Sequence, residues 1–103
     1  MSNAIDDVIR ERRHQVEREG YTAGHDDAHR HRELAQAAAC YVDQHIGRSW
    51  VHEHDPDKYQ DDDVPRDWPW DDSCWKPKTP RRDLIRAAAL IIAEIERLDR
   101  LSA

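Results

Sequence analysis

Residues 79–101, TPRRDLIRAAALIIAEIERLDRL, constrain the fold more than any other stretch. Thr79 is placed to cap a helix, and Pro80 stands at the first helical position, where its missing N–H costs nothing. Leu84, Ala88, Ile91, Ile95 and Leu98 then step by four and three in turn, the spacing of a coiled-coil seam. Ile85, Ala89 and Ile92 add a second stripe beside the first. An apolar surface this wide predicts a helix packed on two sides, in a bundle or at a dimer interface.

Two more helices are expected, at about 4–19 and 27–46. In the first, Asn3 is the expected cap, Ile5, Val8, Ile9 and Val16 form a thin apolar stripe, and Gly20 is a natural stop. In the second, Asp26 or Asp27 is the expected cap. Leu34, Ala38, Tyr41, Val42 and His45 share a face, and Gly47 is the expected end. The alanines between 35 and 39 allow another helix to come close. No segment alternates with period two, so the chain is expected to be all-α: one domain over 1–103, a small three-helix bundle with a long Trp-rich loop between helices two and three.

That loop, 48–79, is roughly thirty residues, and structureless connections beyond about 12–15 are uncommon in compact domains. The stretch 53–63, EHDPDKYQDDD, has almost nothing to bury and is expected to be mobile. The stretch 68–77, WPWDDSCWKP, differs sharply. The chain has four tryptophans and no phenylalanine, and Trp68, Trp70 and Trp75 all fall here. Large aromatics between prolines either plug the bundle or form a surface for something flat.

Charge narrows the partners. The formal net charge is −6, which argues against duplex nucleic acid and anionic membranes, since both need a basic footprint. No apolar run has membrane length, and no signal-peptide pattern opens the chain. The two cysteines, Cys40 and Cys74, form no CxxC pair, which fits a reduced, cytosolic setting; a disulfide between them stays open at this stage.

Three clusters could carry chemistry. The turn GYTAGHDDAHRH, residues 20–31, gathers His25, Asp26 and His29, residue types that bind zinc, manganese or iron. Positions i and i+2 of a helix do not face one another, so capped, solvated histidines are the competing reading. The Trp segment leads into a basic run, Lys76, Lys78, Arg81, Arg82 and Arg86, at a helix start. Indole faces stack on bases, and cations and free helix N–H groups hold phosphate, so these are the parts of a nucleotide pocket. The expected ligand-binding residues are Arg13, Tyr21, Thr22, His25, Asp26, Trp68, Trp70, Trp75, Lys76, Arg81 and Arg82. The third cluster, Glu94, Glu96 and Asp99, includes an ExxD step. All-α nucleotide pyrophosphohydrolases pair such a step with an ExxE on another helix, and here the ExxE is missing.

Residues 18–42, REGYTAGHDDAHRHRELAQAAACYV, together with WPWDDSCWKP and RRDLIRAAALIIAEIERLDR, resemble a group of small phage and prophage proteins. That group shares an EGWT-x-EHDD-x-H opening, a GELA-x-AA-x-CYA helix, a WPW…WKP segment and an RRDL-x-KAGALI-x-AEIERLDR ending. Tyr21, Gly24 and Ala88 depart from it, standing where the group has Trp, an acid and Gly. A shorter stretch, GYTAGHDD, looks like the GW-x-x-G-x-x-RD segment of ryanodine-receptor repeat domains. The first resemblance implies a phage or prophage origin and a cytoplasmic location in the infected or lysogenic host. Small phage proteins of this kind often counter host defence. The resulting expectation is a non-enzymatic protein, without a cofactor, that captures a nucleotide-derived immune signal of cyclic dinucleotide or cyclic ADP-ribose type. A homodimer through helix 80–101 is expected with it. The alternatives are a metal-dependent nucleotide hydrolase using His25, Asp26 and His29, with Glu96 and Asp99, and a protein-interaction inhibitor of a host complex.

Overall fold

The computed structural model describes residues 3–17 and 32–102. They form three α-helices, α1 (Asn3–Glu17), α2 (Glu33–His54) and α3 (Pro80–Ser102), with no strand among the described residues. Two 3₁₀ turns, Pro56–Lys58 and Asp72–Cys74, punctuate the connection between α2 and α3. The all-α expectation therefore holds.

α3 starts as its sequence dictates. Arg82 N–H donates to Thr79 Oγ1, and Asp83 N–H donates to the Thr79 carbonyl. Within one chain it buries one side of the wide apolar surface and leaves the seam outside. Ile85, Ala87, Ala89, Leu90 and Ala93 are buried, whereas Leu84, Ile91, Ile95 and Leu98 are 37%, 45%, 51% and 48% exposed. Of the second stripe Ile85 and Ala89 pack inward, and beside them a face through Ala87, Leu90 and Ala93 that neither stripe includes. The reason lies in size. Ala37 and Ala38 of α2 face Ala87, Leu90 and Ala93 in one buried cluster, and small residues on both sides let the backbones approach closely.

α2 departs from expectation at both ends. Arg32 has left-handed backbone (φ 66), so this helix begins at Glu33; the expected caps, Asp26 and Asp27, lie outside the described residues. At the other end Gly47 does not stop it. The helix runs on to His54, burying Val51, and Trp50 Nε1–H donates back to the Gly47 carbonyl. Pro56 is what ends it: the residue before proline is driven out of the helical region, and Asp55 is extended (φ −152, ψ 91).

α1 corrects the sequence reading most. Its expected apolar stripe is largely outside, with Ile5 51% and Ile9 40% exposed, while Glu11 and Gln15 are each only 2% exposed. Ion pairs dock it on α3: Asp7 with Arg81 (2.8 Å), Glu11 with Arg82, and Arg12 with Glu96 (3.0 Å). Both members of each pair ascend together along the two helices. Charged pairs are thus prominent in this contact.

The acidic stretch 53–63 also carries more than it promised. Tyr59 is fully buried, and its hydroxyl donates to Asp83 Oδ2 at 2.7 Å. Gln44 Nε2–H donates to the Tyr59 carbonyl, Arg48 donates to the carbonyls of Lys58 and Asp61, and Gln60 donates to the Lys78 carbonyl. One aromatic among the acids is enough to pin the stretch against the start of α3.

Candidate functional site

The Trp segment enters the core on two of its three rings. Trp75 stacks on Tyr41 of α2 (centroids 4.9 Å, planes 24° apart), and Trp68 meets both rings edge-on. Trp68 and Trp75 are 8% and 7% exposed. Trp68 Nε1–H donates to the Asp71 carbonyl, whereas Trp75 Nε1–H finds no acceptor, a cost that its burial and stacking must offset. These two are a plug. The turn between them is local chemistry: the Asp71 carboxylate accepts from Ser73 N–H and Ser73 Oγ–H, and those bonds hold its carboxyl below the usual range.

Trp70 is different. It lies edge-on to Trp68 (5.5 Å), half-buried, on the wall of a cavity of about 360 Å³. That volume lies near the lower end of small-ligand sites, about 300–1,000 Å³. Tyr41 and Trp68 join Trp70 in the wall, Glu11 and Gln15 of α1 and Lys76 and Arg86 line it too, and Cys74 lies at its side. Arg86 is held in place rather than free. Its Nη1 donates to the Lys76 carbonyl (2.6 Å) and the Tyr41 hydroxyl (3.3 Å), and its guanidinium lies 5.4 Å from the Tyr41 ring centroid. Such fixed geometry is what planar anion recognition uses.

Gln15 is the most telling group. Its Nε2–H donates to Glu11 Oε2, and a carboxylate can accept only, so the amide is turned with its oxygen the other way. That oxygen, Oε1, is buried and has no partner. Buried polar atoms almost always have one, and the Gln15 side chain also lines the cavity.

The expected residues thus separate. Trp68, Trp70 and Lys76 line the cavity, while Trp75 stands behind it as core. Arg81 and Arg82 are not at this cavity. They border a second groove, about 400 Å³, between α1 and α3 with Asp7, Glu11 and Thr79, and acids of α1 neutralise both. The single pocket expected from tryptophans plus the helix start is therefore two, and the anion side of the first belongs to Arg86. Arg13 is exposed on α1, away from both linings. Tyr21, Thr22, His25, Asp26 and His29 lie outside the described residues.

Gln15 and Tyr41 were missed as site residues, and Arg86, read as part of the basic run of the pocket, was left out of the expected ligand-binding set. Gln15 carried a weak signal, as an uncharged polar residue four positions after Glu11 in a helix otherwise dominated by charge. Arg86 carried one as the last member of the basic run, one turn inside the helix. Among the described residues no group of three His, Cys, Asp or Glu side chains could hold a metal ion. Glu94 is paired with Arg97 and Glu96 with Arg12, so two acids of the third cluster are engaged in ion pairs. Both cysteines are free; burial pushes the Cys40 thiol up to about 11, helped by Asp43 and Asp67. No helix of the described residues is long and apolar enough to cross a membrane.

No protein-family model, curated protein or solved structure matches this chain, so the cavity's own geometry carries the functional argument.

Proposed function

We propose that this protein is a non-enzymatic receptor for a small nucleotide-type ligand, seated in the cavity between Trp70, Tyr41, Gln15, Lys76 and Arg86. The observation that carries the reading is one cavity lined by half-buried Trp70, by the two cations Lys76 and Arg86 and by Gln15, whose buried Oε1 has no partner. A nucleobase presents the matching chemistry: a flat π-surface for Trp70, an N–H edge for the Gln15 carbonyl oxygen, and a phosphate for Arg86 and Lys76. The cavity volume suits one base with its sugar and phosphate better than two, so a dinucleotide would leave one half outside. The likeness to small phage proteins extends this reading to a biological role, the sequestering of a nucleotide-derived host immune signal in the cytoplasm of the host.

Calorimetry against nucleoside monophosphates, cyclic dinucleotides and ADP-ribose derivatives tests it. Binding in the micromolar range or tighter is expected, lost in Gln15→Leu and weakened in Arg86→Met, with no turnover of the ligand. No heat from any member of the panel would refute the reading.

A further inference from the structure

Among the described residues, the outward stripe of α3 is a long apolar feature that the bundle leaves exposed. Leu84, Ile91, Ile95 and Leu98 are each between 37% and 51% exposed, with half-buried Ala88 and Ile92 filling the gaps between them. From Leu84 to Leu98 the stripe is about 21 Å long, at 1.5 Å per residue. Aliphatic side chains continuous over that length mark a contact surface.

We infer that a second copy of this chain covers it, α3 against α3, antiparallel about a two-fold axis. Two observations select that occupant. The first is the spacing. A four-three alternation keeps a seam facing one partner helix of the same repeat, which α3 itself supplies; a groove or a sheet edge would impose no such period. The second is charge. Arg81 and Asp99 bracket the stripe about five helical turns apart, so they stand on the same flank. Both are exposed, although Arg81 also touches Asp7. Reversing one helix on the other sets Arg81 beside the partner's Asp99 at both ends, whereas a parallel pair puts each Arg81 and its copy on opposite sides of the seam, where neither meets an Asp99. Exposed rim charges decide orientation more than strength. Burying two such stripes and their rims removes on the order of 1,000 Å² from water, about the threshold for an interface that persists in solution. The dimer is therefore concentration-dependent. The nucleotide cavity faces away from the seam, being lined on α3 by Arg86 and Leu90, so this inference stands apart from the proposed ligand.

Sedimentation equilibrium of the full chain, from low micromolar to near-millimolar concentration, tests it. The weight-average mass should climb from 12.1 kDa towards twice that value. Ile95→Glu, at a half-exposed position, should leave the circular dichroism spectrum unchanged and weaken the dissociation constant at least about tenfold, because it buries two like charges at the seam. Asp99→Arg should weaken it several-fold. A mass that stays monomeric throughout, or a dimer that survives Ile95→Glu, overturns the inference and leaves the stripe for a different protein partner. Unchanged association in Asp99→Arg overturns the antiparallel orientation.

Discussion

Tyr59→Phe isolates the contact that anchors the acidic connection to the bundle. Tyr59 and Asp83 are both fully buried, and the 2.7 Å bond from the hydroxyl reaches one carboxylate oxygen. The other oxygen accepts Lys78 N–H at 3.0 Å. Deleting the hydroxyl leaves a buried carboxylate oxygen without its donor. Hydrogen bonds to charged groups contribute about 1.5–3 kcal/mol, and the unpaired charge pushes the cost towards the upper end. Urea and thermal unfolding should therefore report a loss of about 2–3 kcal/mol, a fall in Tm of roughly 8–20 °C for a chain of this size. The effect carries a pH signature. Burial raises the Asp83 carboxyl above its ordinary value, while the bonds from Tyr59 and Lys78 N–H and the nearby Arg86 and Arg82 draw it back. An acid raised on folding binds its proton more tightly folded than unfolded. Its site therefore favours the fold most below the unfolded value of 3.8, and that contribution is lost as pH rises through the folded value. Removing the hydroxyl raises the folded value further. The gap between wild type and Tyr59→Phe should hence be widest at neutral pH and narrow on acidification. Asp83→Asn, which keeps an acceptor for Lys78 N–H and discards the charge, should cost less than Tyr59→Phe. A Tyr59→Phe variant within about 0.5 kcal/mol of wild type, or a gap that widens towards acid, would refute the reasoning.

The remaining expectations concern the plug, the helices and the thiols. Trp75→Ala should cost about 3–5 kcal/mol of stability by opening the core beside Tyr41, while Trp70→Ala should cost well under half of that and instead abolish ligand binding; equal losses from the two in chemical denaturation would contradict the division between plug and cavity wall. Gly47→Ala should stabilise by about 0.5–1 kcal/mol, because Gly47 lies inside α2 and an added Cβ meets nothing within 4 Å, and a lower Tm would contradict the continuous helix. Cys74 should react readily with a thiol reagent at mildly alkaline pH, leaving Cys40, whose thiol is pushed up to about 11, untouched until the protein is unfolded. Two fast equivalents would be the contrary result.

What the chain alone determined was whatever depends on near neighbours. Thr79 and Pro80 set the start of α3, the absence of any period-two segment set the all-α class, and the clustering of Trp68, Trp70 and Trp75 marked a part of the connection able to dock. These rest on backbone geometry and composition within a few residues. The contact of α1 with α3 brought acids instead to arginines more than 70 positions away, Asp7 to Arg81 and Glu11 to Arg82, and no helical period announces such pairs. Tyr59 read as one residue in an acidic run until Asp83 came beside it. Gly47 read as a stop until the burial of Val51 beyond it outweighed a weak local preference. The cavity is the clearest case. Gln15, Tyr41, Trp70 and Arg86 come from three helices and a loop, and only packing brings them to one wall, because a site is defined by side chains that share space rather than sequence.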